Sequence, residues 1–139
     1  MARNGCGRLP LYALQATPAA DILLEPHERD RQQEEEGEPL LCRLCLHPIT
    51  DRVAALARNG SHLHTNSNPA GLVFTIGLFG EAPGCDVVGP PTLDYSWFAG
   101  YGWEIASCRK CFFHLGWRFS RHDADLFFGL IVSHLVTGR

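Results

Sequence analysis

Apolar residues in the second part of the chain fall in short runs that are separated by segments rich in Gly, Pro, Asn and Ser. The run LVFTIGLF at 72–79 contains branched and aromatic residues and lies between two glycines, as is typical of a β-strand. LGWRF at 115–119 and ADLFFGLIVSHLVT at 124–137 have the same character. The pattern therefore predicts a mostly β domain built from short strands.

Two polar segments, NGSHLHTNSNPAG at 59–71 and GEAPGCDVVGPP at 80–91, carry the residues that turns prefer. We predict that they connect the apolar runs. Only TDRVAALARNG at 50–60 looks partly helical, because it is rich in Ala and Arg and ends on Asn-Gly. The expected helix content is therefore one short segment.

The first part of the chain has a different composition. The formal net charge is -3, and the stretch from Asp21 to Glu38 is strongly acidic, with only Arg29 and Arg31 to offset it. Few large apolar residues follow Leu24, and such a composition is typical of a flexible, solvated segment. We therefore predict an acidic leader at 1–39 and a single domain at 40–139.

Charge and hydropathy exclude several classes of partner. Lys110 is the only lysine, and the remainder of the chain outside the acidic stretch is too weakly basic to suggest a nucleic-acid-binding protein. No apolar run approaches the roughly eighteen residues of a membrane span. The N-terminus has glycines and a proline where a signal peptide needs an apolar core. We expect a cytoplasmic protein that binds neither nucleic acid nor membrane.

Four of the six cysteines form two Cys-x-x-Cys pairs, Cys42 with Cys45 and Cys108 with Cys111. A tight turn of this kind points two thiolates at one ion, and a second turn completes a tetrahedral shell of four sulfurs. Two redox-active dithiols, or buried thiols in a core, are the alternatives, but the paired spacing favours Zn²⁺. Because four cysteines leave no coordination position for water, we expect the zinc to be structural.

All three tryptophans, Trp97, Trp103 and Trp117, lie around the second cysteine pair. They are predicted to lie on different elements, and the glycines nearby let ring faces border a cleft. Burial in the core is the alternative for each indole. A box of three indoles can accept a cation, with Asp94 or Glu104 supplying charge, or a flat neutral ring. The residues alone leave both ligand classes open.

The motifs NPAG at 68–71, YSWFAGYGWEIASCRKC at 95–111 and HLGWRF at 114–119, with CRLC upstream, resemble the CULT domain. This is the thalidomide-binding domain of cereblon and of stand-alone bacterial relatives. The resemblance covers about residues 40–139. It implies a β-tent fold, in which two antiparallel sheets are pinned by a zinc ion on the four paired cysteines.

The resemblance also implies a ligand and its contacts. The ligand is a cyclic imide: the glutarimide of thalidomide-type drugs, the cyclised C-terminal residue of a damaged protein, or a related uracil-like ring. The cage walls are Trp97, Trp103 and Trp117, with backbone groups of Tyr95 and Trp97 at the imide edge. The remaining implied ligand-binding residues are Ser96 between those backbone contacts, Phe119 on the floor, Phe74 beside the ring, and Asn68 and Pro69 at the mouth.

The sequence departs from the animal members of the family in two places. Tyr95 and Ala70 replace histidines, and only the second change is expected to alter the grip on groups that project from the imide. We expect no binding to a ubiquitin-ligase adaptor, since a chain of 139 residues resembles the bacterial members.

An enzyme remains the alternative class, because methionine sulfoxide reductases share this fold. That chemistry needs an activated cysteine outside the zinc site. Cys85 is the one candidate within the domain, and the neighbouring Asp86 disfavours its thiolate. We therefore expect a binding module without catalytic residues.

Overall fold

A computed structural model describes residues 37–122 and 125–138 of the chain, and these residues form nine β-strands joined by turns. The strands are β1 (Pro39–Cys42), β2 (Pro48–Asp51), β3 (Leu63–Ser67), β4 (Val73–Phe79), β5 (Cys85–Thr92), β6 (Gly102–Cys108), β7 (His114–Ser120), β8 (Leu126–Ile131) and β9 (Leu135–Thr137). The predicted leader at 1–39 lies outside the described residues except for its last three. Its boundary at residue 40 therefore stays a prediction.

The strands form two antiparallel sheets. The small sheet has the order β2-β1-β9, and the large sheet has the order β3-β4-β8-β7-β6-β5. Every pairing is antiparallel. The predicted fold class, a mostly β domain of two antiparallel sheets with a cluster of four cysteines, is confirmed. None of the described residues forms a helix long and apolar enough to cross a membrane.

Buried side chains form two clusters. One cluster contains Leu40 and Ile49 from the small sheet together with Leu115 and Leu130 from the large sheet, so it joins the two sheets. The other cluster lies within the large sheet and is built mainly from aromatic and branched residues of β4, β7 and β8. This second cluster lies beneath the tryptophan-containing region, since Trp97, Trp103 and Trp117 pack against it.

The predicted helix at 50–60 is wrong. Strand β2 continues to Asp51, and only a 3₁₀ turn at Arg52–Ala54 follows. The Asp51 carboxylate accepts hydrogen bonds from the backbone N–H of Val53 at 2.9 Å and of Glu38 at 2.8 Å, which caps the turn. Ala55 is already extended and bridges to Phe79. Tertiary pairing therefore outweighs the weak helix propensity of the segment.

The two segments predicted as connections each contain an edge strand of the large sheet. β3 lies within 59–71, and β5 begins within 80–91 and ends at Thr92. An edge strand tolerates polar residues and proline because one side of its backbone faces away from the sheet. The register of β5 against β6 shifts between Val88 and Thr92, where Pro90 and Pro91 cannot donate to the ladder.

Candidate functional site

The four paired cysteines come together between the two sheets. Cys42 ends β1 and Cys108 ends β6, and Cys45 and Cys111 lie in the turns that follow. All four sulfur atoms lie within 4.8 Å of one another. The Sγ atoms of Cys42 and Cys111 are 3.6 Å apart, and those of Cys45 and Cys108 are 3.5 Å apart. The cluster therefore links the small sheet to the large one.

The two cysteine turns have the same backbone geometry. The N–H of Leu46 donates to the carbonyl of Cys42 at 2.8 Å, and the N–H of Phe112 donates to the carbonyl of Cys108 at 2.9 Å. Leu46 and Phe112 both adopt a left-handed conformation, with φ of 65° and 69°. The repeated turn explains how two distant segments present their sulfurs to one point.

The donor set fits a tetrahedral metal ion. A zinc–sulfur bond of about 2.3 Å gives sulfur–sulfur edges of about 3.8 Å, close to the shorter separations found here. Burial raises the pKa of the Cys108 thiol, but hydrogen bonds from the backbone N–H groups of Cys111 and Lys110 outweigh burial and lower the pKa to about 7. The four cysteines could therefore hold a metal ion, and a bound ion would supply a cross-link between the sheets.

A cavity of about 490 Å³ lies over the outer part of the large sheet. It is lined by Asn68, Pro69, Leu72, Phe74, Tyr95, Trp97, Trp103, Ile105, His114, Trp117 and Phe119. All the ligand-binding residues predicted from the sequence are among these except Ser96. The Ser96 hydroxyl donates to the carbonyl of Phe98 at 3.1 Å, inside the turn.

Strand register brings four of the lining residues to one face of the β6–β7 hairpin. Trp103 lies opposite Phe119, and Ile105 lies opposite Trp117. Side chains two residues apart on a strand share a face, so these four side chains line the same surface. Phe119 is almost completely buried and forms the base, while Ile105 is 47% exposed at the rim.

The third tryptophan reaches this surface from the turn between β5 and β6. The Trp97 ring meets the Trp117 ring edge to face, with centroids 4.8 Å apart, and Phe74 meets Trp117 in the same way at 5.2 Å. The next residue, Phe98, points the other way and packs against Phe119 and Phe127 in the core. Phe98 thus anchors the turn that carries Trp97.

Two of the three indole N–H groups are hydrogen-bonded to backbone. Nε1 of Trp97 donates to the carbonyl of Ser67 at 3.0 Å, and Nε1 of Trp103 donates to the carbonyl of Asp94 at 2.7 Å. These bonds fix the orientation of both rings. They also connect the turn that carries Trp97 to β3 on one side and to β6 on the other.

Tyr95 has an unusual backbone conformation at the rim of the cavity. Its φ is 59°, in the left-handed region that a non-glycine residue rarely adopts, and its side chain is 76% exposed. Such conformations carry a cost of about 1–3 kcal/mol and are concentrated at binding sites. The exposed ring contributes little to packing. The distinctive feature of Tyr95 is therefore its backbone conformation and not its side chain.

The acidic residues near the tryptophans do not line the cavity. Glu104 lies on the opposite face of β6, where it is 7% exposed and accepts hydrogen bonds from Arg118 at 2.8 Å and 3.1 Å. Asp94 contributes its carbonyl to Trp103. The residues that line the cavity therefore offer little negative charge to a bound cation.

Three residues that line the cavity are not predicted from the sequence: Leu72, Ile105 and His114. Ile105 could have been found from its spacing of two from Trp103, whereas Leu72 and His114 carry no such signal. His114 packs edge to face against Trp117 at 4.9 Å, and its Nε2 lies 3.0 Å from the carbonyl of Gly116. Burial lowers the pKa of His114.

Cys85, the candidate nucleophile, is a buried thiol on β5 opposite Cys108. Burial, with the nearby Cys108 as a second cause, raises its pKa to about 12. A thiol in this state is not activated. Cys6 lies outside the described residues.

The site therefore defines a class: a mostly β domain that combines a four-cysteine cluster with an aromatic cavity. Comparison with curated proteins identifies relatives named "Protein cereblon". The chain is 41% identical to that of Danio rerio over 73 residues, 50% of this chain and 17% of the relative. It is 37% identical to that of Gallus gallus over 73 residues, 50% of this chain and 16% of the relative.

A third relative, from Drosophila grimshawi, is 42% identical over 55 residues, 37% of this chain and 8% of the relative. The match lies in the C-terminal half of this chain, and the predicted resemblance to cereblon is confirmed there. The chain spans less than a fifth of the length of these curated relatives. No family model matches the chain.

Proposed function

We propose that the aromatic cavity binds a cyclic imide or a related planar ring, either free or as the last residue of a polypeptide. The observation that carries this proposal is the set of three tryptophans lining one cavity beside the left-handed turn at Tyr95. Apolar ring faces favour a flat ligand, and the backbone of Tyr95 and Trp97 offers hydrogen-bonding groups at one edge. In this proposal Asn68, Pro69 and Phe74 contact the ligand, and the protein is a binding module rather than an enzyme.

The size of the ring sets the expected affinity. Burial of roughly 200 Å² at about 25 cal/mol/Å² contributes about 5 kcal/mol. Two or three backbone hydrogen bonds add about 1 kcal/mol each, and the loss of rigid-body freedom opposes them by several kcal/mol. The balance of about 3–5 kcal/mol corresponds to dissociation constants of about 0.1 mM to a few millimolar for the ring alone.

A methyl-ammonium ligand is the second candidate for an aromatic cavity. Such cages are strengthened by an acidic residue near the cation. None of the residues that line this cavity is acidic, and Glu104 is paired with Arg118 behind it. These contacts support the neutral ring over the cation.

A sulfoxide reductase would need an activated cysteine. Among the described residues, Cys85 is the one cysteine outside the metal cluster, and its buried thiol has a raised pKa. This supports a binding role. The proposed metal is structural Zn²⁺ on the four clustered cysteines. None of the described cysteines forms a disulfide, which fits the proposed location in a reducing compartment such as the cytoplasm.

Tryptophan fluorescence tests the proposal directly, since the chain has three tryptophans and all of them line the cavity. Titration with thalidomide should change the emission at submillimolar ligand. Trp103→Ala should abolish binding and keep the metal, whereas Val88→Ala, on an exposed part of β5, should bind as the unmodified protein does. The absence of a spectral change at millimolar thalidomide would contradict the proposal. Displacement of bound thalidomide by trimethyllysine would also contradict it.

A further inference from the structure

Strand β3 is an edge of the large sheet, and it leads into the cavity. It pairs with β4 on one side, and the chain passes from its last residue, Ser67, directly into Asn68 and Pro69 at the cavity. The N–H of Asn68 bonds to the carbonyl of Leu72, and the N–H of Leu78 bonds to the carbonyl of His62. These two bonds show that the backbone N–H and carbonyl groups of the even-numbered residues point towards β4.

The odd-numbered residues of β3 therefore direct their backbone groups away from the sheet, because the direction alternates along an antiparallel strand. Two of these groups are already satisfied: the carbonyl of Ser67 accepts Nε1 of Trp97, and the carbonyl of Leu63 accepts the hydroxyl of Ser61. Within the described part of the chain, the N–H and carbonyl of Thr65 and the N–H of Ser67 have no partner.

We infer that these free backbone groups of β3 bind the residues that precede a C-terminal ring held in the cavity. The inference rests on the proposed function and names its ligand more closely, as a polypeptide that ends in the ring. The Trp97 indole supports the connection, since it lines the cavity and bonds to the same edge of β3. Leu63, Thr65 and Ser67 are all exposed, so the edge is open to solvent.

The direction of the ligand follows from the position of the cavity. β3 runs towards the cavity, and a polypeptide that ends there runs the same way, so the pairing is parallel. In a parallel ladder one residue bonds to both neighbours of the residue opposite it. A ligand residue opposite Asn66 donates its N–H to the carbonyl of Thr65 and accepts the N–H of Ser67 with its carbonyl. The N–H of Thr65 then bonds to the carbonyl two residues earlier in the ligand.

The test compares free glutarimide with cyclised glutamine imides that are preceded by one, three or five residues, using isothermal titration calorimetry. Three added residues should tighten binding roughly tenfold, because each backbone hydrogen bond contributes a few-fold. Methylation of the ligand amide that faces the carbonyl of Thr65 should remove most of that gain. Hydrogen exchange at the Thr65 and Ser67 amides should slow with the longer peptides and stay unchanged with free glutarimide.

Thr65→Pro is the matched variant, because proline removes an N–H that faces away from the sheet and leaves the β4 ladder intact. It should lower peptide affinity towards that of free glutarimide and leave glutarimide binding unchanged, whereas Thr65→Val should bind peptides normally. Binding of glutarimide without any gain from added residues would overturn the inference and keep the proposed function. Failure of glutarimide itself to bind would overturn both. A concentration-dependent dimer that Thr65→Pro abolishes would assign the edge to a second copy instead.

Discussion

At the scale of single residues, adjacent aromatic side chains have opposite roles. Trp97 lines the cavity, and Phe98 is 6% exposed in the core beneath it. The indole N–H of Trp97 bonds to Ser67, so the orientation of the ring depends on one hydrogen bond to a neighbouring strand. The shape of the cavity is therefore set by contacts outside it as well as by the rings themselves.

Trp97→Phe tests that hydrogen bond, because it removes the N–H and keeps an aromatic ring, although a smaller one. We expect imide affinity to fall about fivefold to tenfold, as the loss of one hydrogen bond of about 1 kcal/mol predicts. Trp97→Ala should cost more, since it removes the wall itself. Calorimetric titration with glutarimide measures both. Equal affinities of Trp97→Phe and the unmodified protein would show that the bond does not orient the ring.

The stability of the fold should depend on pH through His114. Burial lowers its pKa in the folded protein, so the unfolded chain binds a proton more readily than the folded chain does. The stabilisation from the neutral ring is complete above the unfolded pKa of about 6.5 and is lost as pH falls through the folded pKa. Urea unfolding of the protein and of His114→Gln between pH 5 and 8 checks this. The variant should lose less stability towards pH 5, and an equal slope in both proteins would contradict the assignment.

At the scale of elements, the two faces of the β6–β7 hairpin have different tasks. One face carries Trp103 and Trp117 to the cavity, and the other holds the Glu104–Arg118 pair. These two charged residues lie directly opposite each other in the register. The pair therefore fixes the same alignment that brings the tryptophans together.

Arg118→Met tests the energetic role of this pair. The Glu104 carboxylate is almost fully buried, so the loss of its partner should lower the free energy of unfolding by about 1–3 kcal/mol. The double variant Glu104→Gln/Arg118→Met should recover part of that loss, because no buried charge remains unpaired. Urea denaturation measures both variants. A single variant as stable as the unmodified protein would show that the pair contributes nothing.

The sequence predicts central strands better than edge strands. β4, β7 and β8 are buried and apolar, so their composition identifies them, whereas β3 and β5 contain the polar residues and prolines that turns also use. The cysteines and tryptophans can be selected from the sequence as candidate site residues, because these residue types are rare and their spacing is distinctive. Leu72 and His114 cannot, because only the folded register brings these ordinary residues to the cavity.

At the scale of the whole molecule, the cysteine cluster and the cavity share one strand. β6 begins beside Trp103 and ends at Cys108, a separation of about 17 Å at roughly 3.3 Å per residue. The cluster also holds β1, in the other sheet. A metal ion at the cluster would therefore fix the end of the strand that carries the cavity wall.

Removal of the metal should consequently abolish binding in the cavity as well as lower stability. A metal ion at the cluster would bind the assembled site and not the separated turns, so its binding energy would contribute to the stability of the folded state. A chelator of high zinc affinity should expose the tryptophans to water, shift their emission to longer wavelength and eliminate the imide response, and added Zn²⁺ should restore all three. Elemental analysis of the purified protein identifies any bound ion.

Cys45→Ser should act as the chelator does, whereas Cys85→Ser should retain the metal, because Cys85 lies outside the cluster. A metal-free protein that still unfolds cooperatively and binds the imide would show that the hydrophobic contacts between the sheets hold the cavity without the ion.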